Sequence, residues 1–270
     1  MEDFRIRDLE TASRDWDTFY ECSQIKNRGD EDSLSESMAA WLIRHCEKGL
    51  FLDESIRSYV RTTYDKSKEH RKQLAKFLST NKHKPEHNIE YALFMHSRGD
   101  SCEALNVPIG DLGIILDHQV PLLAKKSKAV IDLLSYSSDR NCLYILELKE
   151  PQSNESLLKC VLEAYTYYRR IGDIARFKAS FNVPSTANIV IAPLVFMASP
   201  QFKSYEMLKT TAHEQLRLFR MIDEDMKARM GDERCKVAFA VINRTAAFSP
   251  KDSLADVSVA VSPLDAIQPD

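Results

Sequence analysis

Apolar residues recur at helical spacing in the first part of the chain. Met38, Trp41, Leu42 and Cys46 are spaced as on one face of a helix. The same periodicity, with Pro85 as a start signal for the third segment, predicts a helix over 37–47, a helix or helix pair over 55–78 and a helix over 86–97. The chain therefore begins with a mainly helical region, which we place at residues 1–84.

The pattern changes after Pro108 to that of strands. Three segments rich in β-branched and other apolar residues are separated by two short polar connections; they cover 113–123, 129–137 and 142–150. Because short connections join neighbouring antiparallel strands, these segments predict a three-stranded antiparallel meander.

Helices and buried strands alternate in the remainder of the chain. The pattern predicts a helix over 154–171, a strand over 187–196, a long helix over 202–230, a strand over 235–244 and a late edge strand over 256–262. This order of elements predicts an α/β fold in which helices cover the faces of a mixed sheet. We assign residues 85–270 to this domain.

Composition narrows the class of protein. The chain has 270 residues, of which 44% are hydrophobic and 29% charged, as in an ordinary soluble globular protein. No apolar stretch approaches the length of a membrane helix, and the charged N-terminus is unlike a secretory signal, so we expect a cytoplasmic protein with no membrane partner. Six cysteines lie far apart without a C-x-x-C pair, which favours reduced core residues over a zinc site.

The charge is segregated along the chain. Residues 1–40 hold eleven acidic and five basic residues, a balance of -6, whereas residues 59–84 hold eight basic and two acidic residues, a balance of +6. A basic segment on an acidic protein can supply phosphate affinity that the net charge of -3 conceals. A merely solvated helix face remains the alternative.

Three charged residues interrupt the apolar strands. Side chains alternate along a strand, so Glu147 and Lys149 share one face at the far end of the third predicted strand. Asp132 lies within the apolar second strand, and the hairpin connection brings it near Glu147. Burying such groups is costly unless they pair with each other or with a metal ion.

Two adjacent carboxylates repel each other, and a divalent cation relieves that repulsion. Hard oxygen ligands suit Mg²⁺ or Mn²⁺, for which we expect Asp132, Glu147 and the backbone carbonyl of Leu148 as ligands. Lys149 would orient a metal-bound water or stabilise charge on a scissile phosphate, so the set predicts a phosphodiester hydrolase. An E-x-K triplet occurs about once by chance in such a chain; a Glu–Lys pair on a sheet edge with a structural Asp is therefore the alternative.

The segment IDLLSYSSDRNCLYILELKEP, followed by a helix that ends in EAYTYYRRI, resembles the core of the PD-(D/E)XK phosphodiesterase superfamily, which includes restriction endonucleases and repair nucleases. The resemblance covers roughly residues 85–196 and implies a restriction-endonuclease-like α-β-β-β-α-β core. It implies that Asp132 binds the metal and that Glu147 and Lys149 form the (D/E)XK pair. Ile131 stands where the motif has proline.

The resemblance also implies roles on two helices. Many members have a glutamate on the helix before the sheet, and Glu90 fits this position, with an exposed surface carboxylate as the alternative. Members often place Gln and Tyr four residues apart on the helix after E-x-K. Here Glu163 occupies the Gln position and Tyr167 follows it; a packing role is the alternative for Tyr167.

Basic residues near this unit would have to hold the backbone of the substrate. The candidates are Lys125, Lys126 and Lys128 on a hairpin connection and Arg169 and Arg170 on the following helix, with a solvated surface charge as the alternative for each. We expect a nuclease that acts on DNA rather than RNA, in genome defence or repair. The rival hypotheses are a nucleic-acid-binding or assembly subunit that does not cut, working as a homodimer or beside a partner protein, and a purely structural interaction protein.

Overall fold

A computed structural model describes residues 31–46, 84–98, 106–122, 130–210, 214–230 and 235–267. The helices are α1 (Glu31–Cys46), α2 (Pro85–Arg98), α3 (Leu157–Arg170), α4 (Ile174–Ser180), α5 (Pro200–Leu208) and α6 (Glu214–Met230). The strands are β1 (Ile114–Pro121), β2 (Val130–Ser137), β3 (Cys142–Leu148), β4 (Asn188–Phe196), β5 (Cys235–Ile242) and β6 (Val259–Pro263). Short 3₁₀ turns precede β1 and follow β6.

The strands form one mixed sheet in the order β1-β2-β3-β4-β5-β6. β1, β2 and β3 pair antiparallel, which confirms the predicted meander. β4 and β5 then run parallel to β3, and β6 closes the far edge antiparallel to β5, as predicted for a late edge strand. The α/β class with a mixed, helix-flanked sheet is thus confirmed.

The two faces of the sheet bury separate apolar clusters. Leu143 and Ile145 of β3 pack with α3 on one face, whereas Tyr144 and Leu146 belong to the cluster on the face that α2 covers. This is the alternation expected of a central strand. Because side chains alternate along a strand, Glu147 lies on the same face as Leu143 and Ile145 and points towards α3.

Helix α1 belongs to the first of these clusters, through Met38, Leu42 and Ile43. The Glu36 side chain also accepts a hydrogen bond of 2.9 Å from the Gln215 amide of α6. The predicted helix over 55–78 lies outside the described residues. In the part of the chain that is described, no helix has both the length and the apolar content needed to cross a membrane.

The long helix predicted over 202–230 is wrong, because two helices, α5 and α6, occupy this range. The amide and the hydroxyl of Thr210 both donate to the Met207 carbonyl, at 3.1 Å each. This three-residue spacing tightens and ends the helical turn. Helix α4 was not predicted; Asp173 caps its N-terminus with a side chain that accepts the Arg176 amide.

Candidate active site

Asp132 lies where β2 and β3 part. Their pairing reaches Leu133 and Leu146, and beyond it the Asp132 carboxylate accepts a hydrogen bond of 2.9 Å from the Leu148 amide. A side chain thus takes the place of a strand partner, which satisfies an amide that the divergence of the strands would leave unpaired. The Asp132 carboxylate is therefore fixed at the fork, the point where β2 and β3 separate.

Glu147 and Lys149 lie on the same side of β3 and are both buried. The Lys149 ammonium donates to Oε1 of Glu147 at 2.6 Å. The two charges share a face, as predicted, and of the two partners that the sequence left open, each other or a metal ion, the structure shows the first. Their position beside Asp132 brings the three predicted residues together at one end of the central strands.

The Lys149 ammonium also contacts two carboxylates outside β3. Its Nζ lies 2.7 Å from Oε2 of Glu155 and 3.2 Å from Oε2 of Glu163. Glu163 reaches the site from α3, so the expectation that this helix directs residue 163 towards the E-x-K pair is consistent with the geometry. A lysine has three N–H donors, and three carboxylates surround this one.

A second lysine, Lys159, lies beside the first. Its Nζ contacts Oε1 of Glu155 and lies 3.5 Å from Oε1 of Glu163. Lys159 and Glu163 share a face of α3 at (i, i+4) spacing, and Glu155 lies in the segment just before this helix. Lys149, Lys159 and their carboxylates therefore form one continuous ionic network.

Helix α2 adds a carboxylate on the other side of Asp132. The Gln119 amide of β1 donates to Oε2 of Glu90 at 2.7 Å and to Oδ1 of Asp132 at 3.3 Å. Glu90 is buried, so its alternative as an exposed surface carboxylate is wrong. Gln119 has a φ of 49°, an uncommon backbone conformation that aims its amide between the two acids.

Burial and mutual repulsion perturb the acids of the site. Burial, and then the neighbouring Glu90, raise the pKa of Asp132 well above its usual value. Burial and the charge of Asp132 raise the pKa of Glu147 to about 8, against the opposing effect of Lys149. The pKa of Glu163 is likewise raised by burial and by Glu147. Each shift reports a cost of ionising these acids together.

The lysines keep their charge in this setting. Burial lowers the pKa of Lys149, but Glu147 and Glu163 outweigh it, and the net result is a pKa well above the usual value. Burial raises the pKa of Glu155, but the two lysines outweigh it and hold the pKa at about 2. Glu155 is thus an ionised carboxylate between two ammonium groups.

The donor set fits a hard cation. Oε2 of Glu147 is buried without an amide, ammonium or alcohol donor among the described residues, and such an atom is suited to a metal ligand. No group of three His, Cys, Asp or Glu side chains in the described ranges is arranged to hold a metal ion. Mg²⁺ keeps several waters and needs only one or two carboxylates, and Asp132 and Glu147 are the residues that could supply them. The role expected for the Leu148 carbonyl stays a prediction.

The residues expected to hold a nucleic-acid backbone are placed differently. Tyr167 is 1% exposed and Arg170 is buried on α3, and this burial is at odds with a direct phosphate contact. Nη1 of Arg169 donates to Asp225 at 2.8 Å. Lys125, Lys126 and Lys128 lie outside the described residues, as does the basic segment 59–84 except for the exposed Lys84.

Four residues of the site were not predicted. Three are Gln119, Glu155 and Lys159, and the fourth is Glu86 of α2, whose carboxylate accepts the Glu150 amide at 3.4 Å and lies near Lys149. The spacing of Glu86 to Glu90, and of Glu155 to Lys159 to Glu163, is a readable signal, since residues four apart share a helix face. Gln119 was visible only as a polar residue within an apolar strand. Its backbone conformation, which directs the amide, has no counterpart in the sequence.

No protein-family model, curated protein or solved structure matches the chain. The resemblance to a superfamily therefore stays a prediction from the sequence motif.

Proposed function

We propose that the protein is a Mg²⁺-dependent nuclease of the PD-(D/E)XK type, with a restriction-endonuclease-like fold, which hydrolyses phosphodiester bonds of DNA. The observation that carries this proposal is the convergence of Asp132, Glu147 and Lys149. The Lys149 ammonium is 2.6 Å from Glu147. Asp132 accepts a hydrogen bond from the backbone amide of Leu148, the residue between Glu147 and Lys149. The element order from α2 through β1, β2, β3 and α3 to β4 supports it further.

Each residue has a role in this proposal. Asp132 and Glu147 would hold the cation, which, when bound, supplies Lewis-acid stabilisation of the phosphate and a more acidic water. Lys149 donates hydrogen bonds to the attacking water or to the developing negative charge on the phosphate. Glu90 and Gln119 orient Asp132 from the side of α2, which keeps the acid in place before the substrate arrives.

A non-cutting nucleic-acid-binding or assembly subunit is the second candidate. The observation that favours it is the set of three carboxylates around Lys149, because they engage the ammonium that the hydrolytic role needs. It predicts tight DNA binding with no metal-dependent cleavage. A homodimer or a partner protein would then supply the function of the assembly.

Cleavage assays separate the two candidates. The double variant Glu147→Ala with Lys149→Ala is compared with the unchanged chain on plasmid DNA and on RNA, in Mg²⁺ and in EDTA. If the protein is a nuclease, the unchanged chain cuts in Mg²⁺ but not in EDTA, and the double variant does not cut in either. The proposal fails if the double variant cuts as well as the unchanged chain, or if the unchanged chain binds DNA and cuts nothing. Lys209→Ala, which removes an exposed lysine paired with Glu206, is the matched control.

A further inference from the structure

The segment between β3 and α3 places one carboxylate over two buried lysines. Glu155 contacts Lys159 through Oε1 and Lys149 through Oε2. Its side chain is 20% exposed, compared with 5% for Lys149 and 11% for Lys159. Glu155 therefore lies on the solvent side of the two ammonium groups and covers them.

Its exposure identifies Glu155 as the replaceable member of the network. Glu147 and Glu163 also contact the lysines, but their side chains are only 5% and 8% exposed, compared with 20% for Glu155. Glu155 is therefore the acid that an incoming anion can reach and replace while one negative charge is kept beside the two lysines.

The backbone at Glu155 is held while its side chain projects over the lysines. The Gln201 amide donates to the Ser153 carbonyl at 3.1 Å and to the Glu155 carbonyl at 2.6 Å. Displacement of the carboxylate thus needs only a rotation of the Glu155 side chain. Lys159 occupies the first turn of α3, where the helix dipole favours anions over cations. An anion bound beside Lys159 would be stabilised both by the lysine charges and by the helix dipole.

We propose that Lys149 and Lys159 together form a binding site for a phosphoryl group, and that Glu155 occupies this site until a phosphodiester of the substrate displaces it. The proposal rests on the proposed function only for the source of the phosphate. A phosphodiester carries one negative charge and presents two non-bridging oxygens. A carboxylate likewise carries one negative charge on two oxygens. The phosphodiester can therefore bridge the two ammonium groups in the same way while the charge of the site is conserved.

Binding measurements on the full chain in EDTA test this proposal, with inorganic phosphate and a short DNA duplex as the two probes. Glu155→Gln keeps the shape of the side chain and removes its charge, so both probes bind roughly tenfold more tightly. Lys159→Gln weakens both, and the Glu155→Gln, Lys159→Gln double variant loses the gain. Glu206→Gln, an exposed acid paired with one lysine, is the matched control and changes neither.

Each outcome decides the matter. Equal or weaker binding of both probes to Glu155→Gln overturns the proposal, because Glu155 is then only a structural clamp. Tighter phosphate without tighter DNA overturns the assignment to a phosphodiester and indicates a site for free phosphate. If Glu155→Gln unfolds, loss in Lys159→Gln of the phosphate-induced rise in melting temperature supports the proposal, and retention overturns it. If Glu155→Gln binds both probes more tightly but the unchanged chain cuts no DNA, the phosphate-site proposal holds and only the proposed nuclease function is refuted.

Discussion

The Asp132 carboxylate accepts the backbone amide of Leu148 at 2.9 Å, and this bond joins the metal-binding candidate on β2 to the strand that carries the E-x-K pair. It also explains why β2 and β3 can separate without leaving an unpaired amide. One side chain therefore has two separable properties, a hydrogen-bond acceptor that stabilises the fork and a charge for a cation.

Two substitutions at Asp132 separate the effect of the hydrogen-bond acceptor from the effect of the charge. Asp132→Asn keeps an oxygen for the Leu148 amide, removes the charge and turns its NH₂ group towards the Gln119 donor. We therefore expect cleavage to fall by about 100-fold or more while stability changes little, because relief of the repulsion from Glu90 offsets the lost Gln119 bond. Asp132→Ala leaves the amide unpaired and costs about 1–3 kcal/mol besides. Urea unfolding and plasmid cleavage measure the two effects. Equal stability of the two variants would show that the bond contributes little.

Removal of the Lys149 ammonium leaves three carboxylates without their shared partner. We expect Lys149→Met to abolish cleavage and to reduce the free energy of unfolding by about 3–5 kcal/mol, the usual result when one member of a buried ion pair is removed. Lys209→Met, in an exposed pair with Glu206, should cost less than about 1 kcal/mol.

A second substitution tests the physical reason for that loss. In the Lys149→Met chain Lys159 is left to balance both Glu155 and Glu163. Glu155→Gln removes one of these two carboxylates and should restore part of the stability, although no cleavage returns. Chemical denaturation of the single and double variants gives the coupling between the two residues. Additive effects would show that Glu155 and Lys149 do not interact in the folded protein.

The sequence predicts the sheet and the three central residues because both depend on local patterns. Alternation along β3 places Glu147 and Lys149 on one face, and the short hairpin brings Asp132 beside them. The break between α5 and α6 depends on how Thr210 and Met207 bond at a helix end, which apolar periodicity does not reveal. Likewise, the burial of Tyr167 depends on tertiary packing against other elements.

Glu147 gives the stability a dependence on pH. Burial and Asp132 raise its pKa from 4.5 to about 8, so the folded chain binds more protons than the unfolded chain within this window. The contribution of Glu147 is fully present below pH 4.5 and is lost as pH rises through about 8, with a slope of at most about 1.4 kcal/mol per pH unit.

Melting temperatures between pH 5 and pH 8.5 in EDTA, about the window in which such a shifted acid titrates, measure this loss. Glu147→Gln has no proton to release there and should show a flatter profile. Mg²⁺ should offset the decline in the unchanged chain, because it binds the ionised acids. A profile of Glu147→Gln as steep as that of the unchanged chain would assign the decline to other groups, such as Glu163.

Gly113 leads into β1 where this strand meets the end of β2, and Gln119, which contacts Asp132, lies further along the same strand. Its φ is 67°, and an added Cβ would overlap the backbone of Tyr136 and Ser137. Because both the conformation and the space exclude a side chain, we expect Gly113→Ala to cost about 3 kcal/mol or more and to lower cleavage as β1 shifts. Gly172→Ala, at an exposed bend without a positive φ, is the control and should change neither property. Thermal unfolding and cleavage rates check both variants; full activity in a destabilised Gly113→Ala would mean that Asp132 does not need Gln119.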